Sequence, residues 1–184
     1  MKTLIAFLAA TLAQPALAAE PVKSGRIEAN VVRYYYEIHG QGEPLLLLHG
    51  GLGSIGMFEP DLPALAHERQ VIAVDLLGHG RTPMGGRKID FKDIADDLAT
   101  VLTALGYGQV DVMGYSFGGG VALRLAIQHP DKVRRLVLVS AGFAQEGFHP
   151  ELLPMQAAVG AAMADQMKGT PMYDSYVEIG RAHV

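Results

Sequence analysis

The sequence predicts an α/β domain: a mostly parallel sheet with helices on both faces. Three features point there. Short, continuously apolar runs such as Leu45 to Leu48 have the pattern of strands covered on both sides, which belong to parallel sheets. These runs alternate with stretches of helical period, and that alternation implies parallel pairing through right-handed crossovers. Glycine-rich loops carrying His49, Asp75 and Ser116 follow the strands, and ligands in such sheets bind beyond the carboxyl ends.

Composition is that of a globular domain. The chain has 184 residues, 49% apolar and 18% charged, enough for one domain with a substantial core. A formal charge of −4 and the lack of any basic cluster argue against a nucleic-acid partner. With no cysteine there is neither a disulfide framework nor a thiol nucleophile.

Taken in order, Met1 to Ala18 reads as an export signal. Lys2 supplies the positive start, Leu4 to Ala13 the apolar run and Ala16-Leu17-Ala18 the small-x-small site, with cleavage after Ala18 or Ala19. The apolar run is about half the ~20 residues that a bilayer span needs, so a periplasmic or secreted protein without a stable membrane span is expected. Two strands follow, Gly25 to Val32 and Arg33 to His39. The second carries Tyr34, Tyr35 and Tyr36, suited to a half-buried pleated surface. Gly40-Gln41-Gly42 turns the chain into the buried strand Pro44 to His49, which ends in His49-Gly50-Gly51-Leu52-Gly53. That many glycines mean backbone in close approach to something, with N–H groups free to bind an anion. His49 is placed to act as a base, but it reads as a hydrogen-bonded structural histidine of the loop.

Phe58 to Glu68 is expected to be a helix and Gln70 to Val74 a further buried strand, with Asp75 to Thr82 as its exit loop. Asp90 to Leu105 is an amphipathic helix: Ile94, Leu98, Val101, Leu102 and Leu105 share a face, and Gly106 stops it. The strand Gln109 to Met113 then runs into Gly114-Tyr115-Ser116-Phe117-Gly118, a helix from Gly118 to Gln128 runs out, and Val133 to Ser140 is another strand. A serine between a strand and a helix, with glycine two residues to either side, fits a sharp, strained turn that pushes the hydroxyl clear of the backbone. The helix N–H groups beside it face any negative charge developing there.

These motifs resemble the α/β-hydrolase fold superfamily in its esterase-like branch. The resemblance rests on Leu45 to Gly51, Asp75 to Thr82, Gly114 to Gly119 and Val133 to Ser140, and it covers residues 25 to 145. It implies Ser116 as nucleophile, with an oxyanion hole formed by the N–H of Phe117 and that of Gly51 or Leu52. It also implies that the Asp75 to Thr82 loop is architectural, so neither Asp75 nor His79 is assigned a catalytic part.

The family places its acid and then its histidine after strands beyond Val133 to Ser140. Two strand–helix units, about 30 residues each, have no counterpart here. The fold is therefore expected to be truncated before its last strands, with residues 19–145 as the core and 146–177 as the start of a lid. His183 follows the serine but sits in Glu178 to Val184, which matches the translation of a common short-read sequencing adapter. Residues 178–184 are read as a non-native tail, and no triad acid or histidine is assigned in this chain.

Serine at the turn implies acyl transfer, whereas related dehalogenases and epoxide hydrolases carry aspartate there. A serine hydrolase of small carboxylic esters is expected as a family, with this chain inactive by itself. Alternatives are a C–C bond hydrolase, lactonase, aminopeptidase or haloperoxidase-like perhydrolase of the same fold, or a non-catalytic fragment or binding member. No metal cluster is visible, and Gly118-Gly119-Gly120 lacks the spacing of a dinucleotide fingerprint, so no cofactor is expected.

Overall fold

The structure, a computed structural model, describes residues 21–142, 149–154 and 165–181. The expected signal peptide, residues 146–148 and 155–164 of the proposed lid start, and His183 lie outside the described residues. Six strands form one sheet: β1 (Lys23–Ala29), β2 (Val32–His39), β3 (Glu43–Leu48), β4 (Arg69–Val74), β5 (Val110–Tyr115) and β6 (Val133–Val139). Their spatial order is β1-β2-β4-β3-β5-β6. Strands β4, β3, β5 and β6 run parallel, while β2 pairs antiparallel with both β1 and β4. Helices among the described residues include α1 (Leu62–Ala66), α2 (Phe91–Ala104), α3 (Phe117–Gln128) and α4 (Pro171–Arg181).

The period-two geometry of β3 explains the run of leucines. Leu46 and Leu48 point to one face, into a core with Ile72, Val74 and Val112 of the sheet, Ile94, Leu98 and Leu102 of α2, and Val121 and Leu125 of α3. Leu45 and Leu47 point to the other, packing with Val71, Phe58 of the preceding turn and Leu62 of α1. Helices therefore cover both faces, and each buried leucine contributes roughly 1.5–3 kcal/mol. Helix α2 starts where Asp90 accepts a hydrogen bond from the Lys92 N–H at 2.7 Å, and Gly106 beyond its end has φ +88°.

The parallel core matches the expectation, and four local boundaries do not. Asn30 and Val31 form a two-residue hairpin turn with φ of 45° and 67°, where one strand was expected to run on to Val32. Asparagine tolerates that conformation, but valine rarely does, so the pair carries no Asn-Gly turn signature. Phe58 to Glu68 is not one helix. A 3₁₀ turn at Ile55–Phe58 and the short α1 replace it, because Pro60 and Pro63 each lack the N–H that an unbroken helix requires. Strand β5 continues two residues past Met113, since Gly114 and Tyr115 pair with Leu138 and Val139 of β6. Finally, no helix was delimited beyond Lys168, yet α4 runs to Arg181, into the segment read as a non-native tail. Pro171 opens that helix and Asp174 lies in its first turn, both favourable at an N-terminus.

Among the described residues β6 is the sheet's outer edge, and Val137 on it is 51% exposed. No described helix is long and apolar enough to cross a membrane. One buried polar network fastens the hairpin to α2. The Asp97 carboxylate accepts hydrogen bonds from Asn30 (2.7 Å), Tyr34 (2.6 Å) and Arg87 (2.6 Å). Burial, reinforced by the Asp97 hydrogen bond, raises the Tyr34 hydroxyl pKa well above its ordinary value.

Candidate active site

Ser116 joins β5 to α3 with φ 49° and ψ −113°, outside the regions that a residue with a side chain normally occupies. The surroundings hold it there. Its N–H donates to the Val139 carbonyl of β6 at 2.9 Å, and its own carbonyl accepts from Gly119 (2.9 Å) and Gly120 (3.2 Å). A methyl group on Gly114 would lie 2.3 Å from the Gly118 carbonyl oxygen. One on Gly118 would lie 2.4 Å from the His49 carbonyl oxygen and 2.5 Å from that of Leu48. The two glycines flanking the turn are thus enforced by backbone packing, as the sequence pattern implied.

The loop after β3 closes against this turn. A turn links the Gly53 N–H to the Gly50 carbonyl at 3.2 Å, and Leu52 has φ 59°. A methyl group on Gly50 would sit 2.8 Å from the Tyr115 ring, and one on Gly51 would sit 3.6 Å from Cβ of Phe117. Gly51 and Phe117 therefore lie side by side. Ser116, Gly51, Leu52 and Phe117 all line one cleft of about 550 Å³, together with Tyr115 and Met57. Its remaining wall is α4, through Met172 and Ser175. Of these, Met57, Met172 and Ser175 had no part in the sequence reading. The Pro171 start signal, with Met172 and Ser175 three apart on one helical face, was the available hint.

His49 and Asp75 are structural. His49 is fully buried, with Nδ1 donating to the Gly50 carbonyl at 2.7 Å and Nε2 accepting from the Leu76 N–H at 2.9 Å. Both nitrogens are used in the neutral ring, and burial lowers its pKa from 6.5 to about 4. The buried Asp75 carboxylate accepts from the Ile55 N–H (2.8 Å), the Arg81 N–H (2.9 Å) and Arg81 Nε (2.8 Å). It staples the loop after β3 to the loop after β4. His79 donates through Nδ1 to the Leu77 carbonyl at 2.8 Å, and burial lowers its pKa too. Its ring stands 5.5 Å from that of Phe117 and 6.0 Å from that of Tyr176. Among the described residues no histidine or carboxylate is hydrogen-bonded to the Ser116 hydroxyl, and no group of three His, Asp or Glu side chains could hold a metal ion.

The chain belongs to the α/β-hydrolase fold family, whose model matches residues 43–170. It is 44% identical over 108 residues to 2-hydroxymuconate semialdehyde hydrolase of Pseudomonas sp. (strain CF600), covering 56% of this chain and 38% of that enzyme. It is 39% identical over 112 residues to the soluble epoxide hydrolase of Corynebacterium sp. (strain C12), covering 60% of this chain and 38% of that one. Among solved structures, an esterase from Exiguobacterium antarcticum superposes with a TM-score of 0.63 at 28% identity, covering 68% of this chain and 50% of that one. The chain spans roughly two fifths of the length of the curated relatives it matches.

Proposed function

We propose that Ser116 is the nucleophile of a serine hydrolase acting on small carboxylic esters through an acyl-enzyme. The observation that carries this reading is the strained Ser116, wedged between Gly114 and Gly118, with Gly51 and Phe117 side by side on its cleft. Ser116 Oγ attacks the ester carbonyl as a base takes its proton, and the carbonyl oxygen becomes an oxyanion. The N–H groups of Phe117 and of Gly51 or Leu52 are the donors for that charge, each donor worth about 3–4 kcal/mol. Collapse expels the alcohol, which receives the proton, and water then releases the acid. The activating histidine and acid are assigned to parts of the parent protein beyond the described residues, in the order acid then histidine. His49 and Asp75 are excluded from those parts because their polar atoms are already committed. Without such a base Ser116 is a weak nucleophile.

A second reading, C–C bond hydrolysis at the same serine, is favoured by the similarity to 2-hydroxymuconate semialdehyde hydrolase. Likeness to the epoxide hydrolase does not extend to its chemistry, because members of that class carry aspartate at the position of Ser116. The test is Ser116→Ala in the full-length parent, assayed on p-nitrophenyl esters. Turnover should fall by several orders of magnitude, on the scale of other triad knockouts. A variant keeping a tenth of the activity sinks the assignment. Turnover of 2-hydroxymuconate semialdehyde with no ester turnover would favour the second reading.

A further inference from the structure

We infer that Tyr176 is a positioning residue: it seats α4 as the wall of the Ser116 cleft, and so lets Met172 select short, uncharged acyl groups. The inference rests on the ester-hydrolase reading above. Among the described residues, the one hydrogen bond from α4 to the sheet domain is Tyr176 Oη donating to the Gly78 carbonyl, at 2.9 Å and across 98 residues of chain. Its acceptor is rigid. The Gly78 loop is closed by the His79 N–H to the Leu76 carbonyl at 2.9 Å, and its flanks are pinned by Asp75. The Tyr176 ring also stands edge-on to His79, whose ring leans on Phe117, the proposed oxyanion donor. The seat of α4 is thus continuous with the catalytic turn.

Met172 lies four residues before Tyr176, hence on the same helical face, and any shift of the tyrosine moves it. Met172 is 61% exposed, so the helix and not the core holds it over the cleft. Walls of Leu52, Met57, Tyr115, Phe117 and Met172 carry no charge, and the two methionines are unbranched and adaptable. A compact apolar acyl group fits that surface, and a carboxylate beside the scissile bond finds no cationic partner among the described lining residues.

The test uses the full-length parent with p-nitrophenyl acetate, butyrate and octanoate. Wild type should favour the two short esters. Tyr176→Phe keeps the ring and removes only the hydroxyl. It should raise KM for the short esters about two- to tenfold, the scale of one net hydrogen bond, with kcat unchanged. Met172→Ala should move the preference toward octanoate. Unchanged KM for all three esters in Tyr176→Phe, or unchanged chain-length preference in Met172→Ala, overturns the inference while leaving the nucleophile assignment intact. Absence of Ser116-dependent ester turnover in wild type would overturn both.

Discussion

Gly118→Ala is the sharpest probe of the catalytic turn, because the helix that contains it supplies its own control. The new methyl group would lie 2.4 Å from the His49 carbonyl oxygen and 2.5 Å from that of Leu48, where ordinary contact begins near 3.4 Å. Something must move by about 1 Å. Both oxygens belong to the end of β3, which is laddered to strands on either side and cannot swing away as a side chain could. Overpacking of this kind costs typically ~1–3 kcal/mol, and rigid backbone on both sides places this case at the upper end, about 3 kcal/mol. For a protein of this size class that lowers Tm by about 6–12 °C. Gly120→Ala is the contrast. Its methyl group would meet only the Phe91 ring at 3.3 Å, and that ring is 43% exposed and free to tilt. Alanine there gains up to ~1 kcal/mol of helix propensity, so Tm should hold or rise slightly. Calorimetry on the full-length parent distinguishes the pair. A wild-type Tm for Gly118→Ala would refute the close packing on which the serine's exposure depends.

Three further outcomes are expected. His49 is neutral when folded and takes up a proton near pH 6.5 when unfolded, so the unfolded state binds more protons between pH 6.5 and about 4. Stability should therefore fall as pH drops through that window, by on the order of 3 kcal/mol, and His49→Asn should flatten the slope of urea midpoints against pH; an unchanged slope would contradict the assignment. Asp75→Asn keeps an acceptor for the Ile55 N–H but removes the charge facing Arg81, so it should destabilise by roughly 3 kcal/mol in urea titration while a merely surface ion pair would cost under ~1 kcal/mol. Export is proposed from the N-terminal pattern: in a Gram-negative host the periplasmic protein should begin at Ala19 or Glu20, and an intact Met1 in the cytoplasm would overturn it.

Where local pattern and tertiary demand agreed, the sequence was easy to read. Leu45 to Leu48 could only be a strand buried on both faces, and the glycines around Ser116 announced a close approach that packing of Gly118 on His49 bears out. His49 read as a structural loop histidine and the resemblance left Asp75 unassigned, but neither reading showed which groups occupy them. Their hydrogen bonds reach across 27 and 20 residues, to Leu76 and Ile55, and no spacing rule encodes them. Asp97 was hidden for the same reason: it interrupts an otherwise apolar helix face because Asn30, Tyr34 and Arg87 converge on it in space. The hairpin at Asn30-Val31 escaped because long-range pairing of β1 with β2 overrides valine's aversion to positive φ. Residues 146–177 read as the start of a lid, but the seat of α4 on the cleft is set by one tyrosine hydroxyl binding a carbonyl 98 residues away, which no local pattern encodes.

Ser116 is proposed to be an activated nucleophile in the full-length protein. Labelling with a fluorophosphonate, followed by peptide mass spectrometry, tests it most directly. A single phosphonyl adduct on Ser116 is expected, abolished in Ser116→Ala and preserved in Ser140→Ala. A full-length, folded protein that resists the probe, or one labelled at another serine, would contradict it.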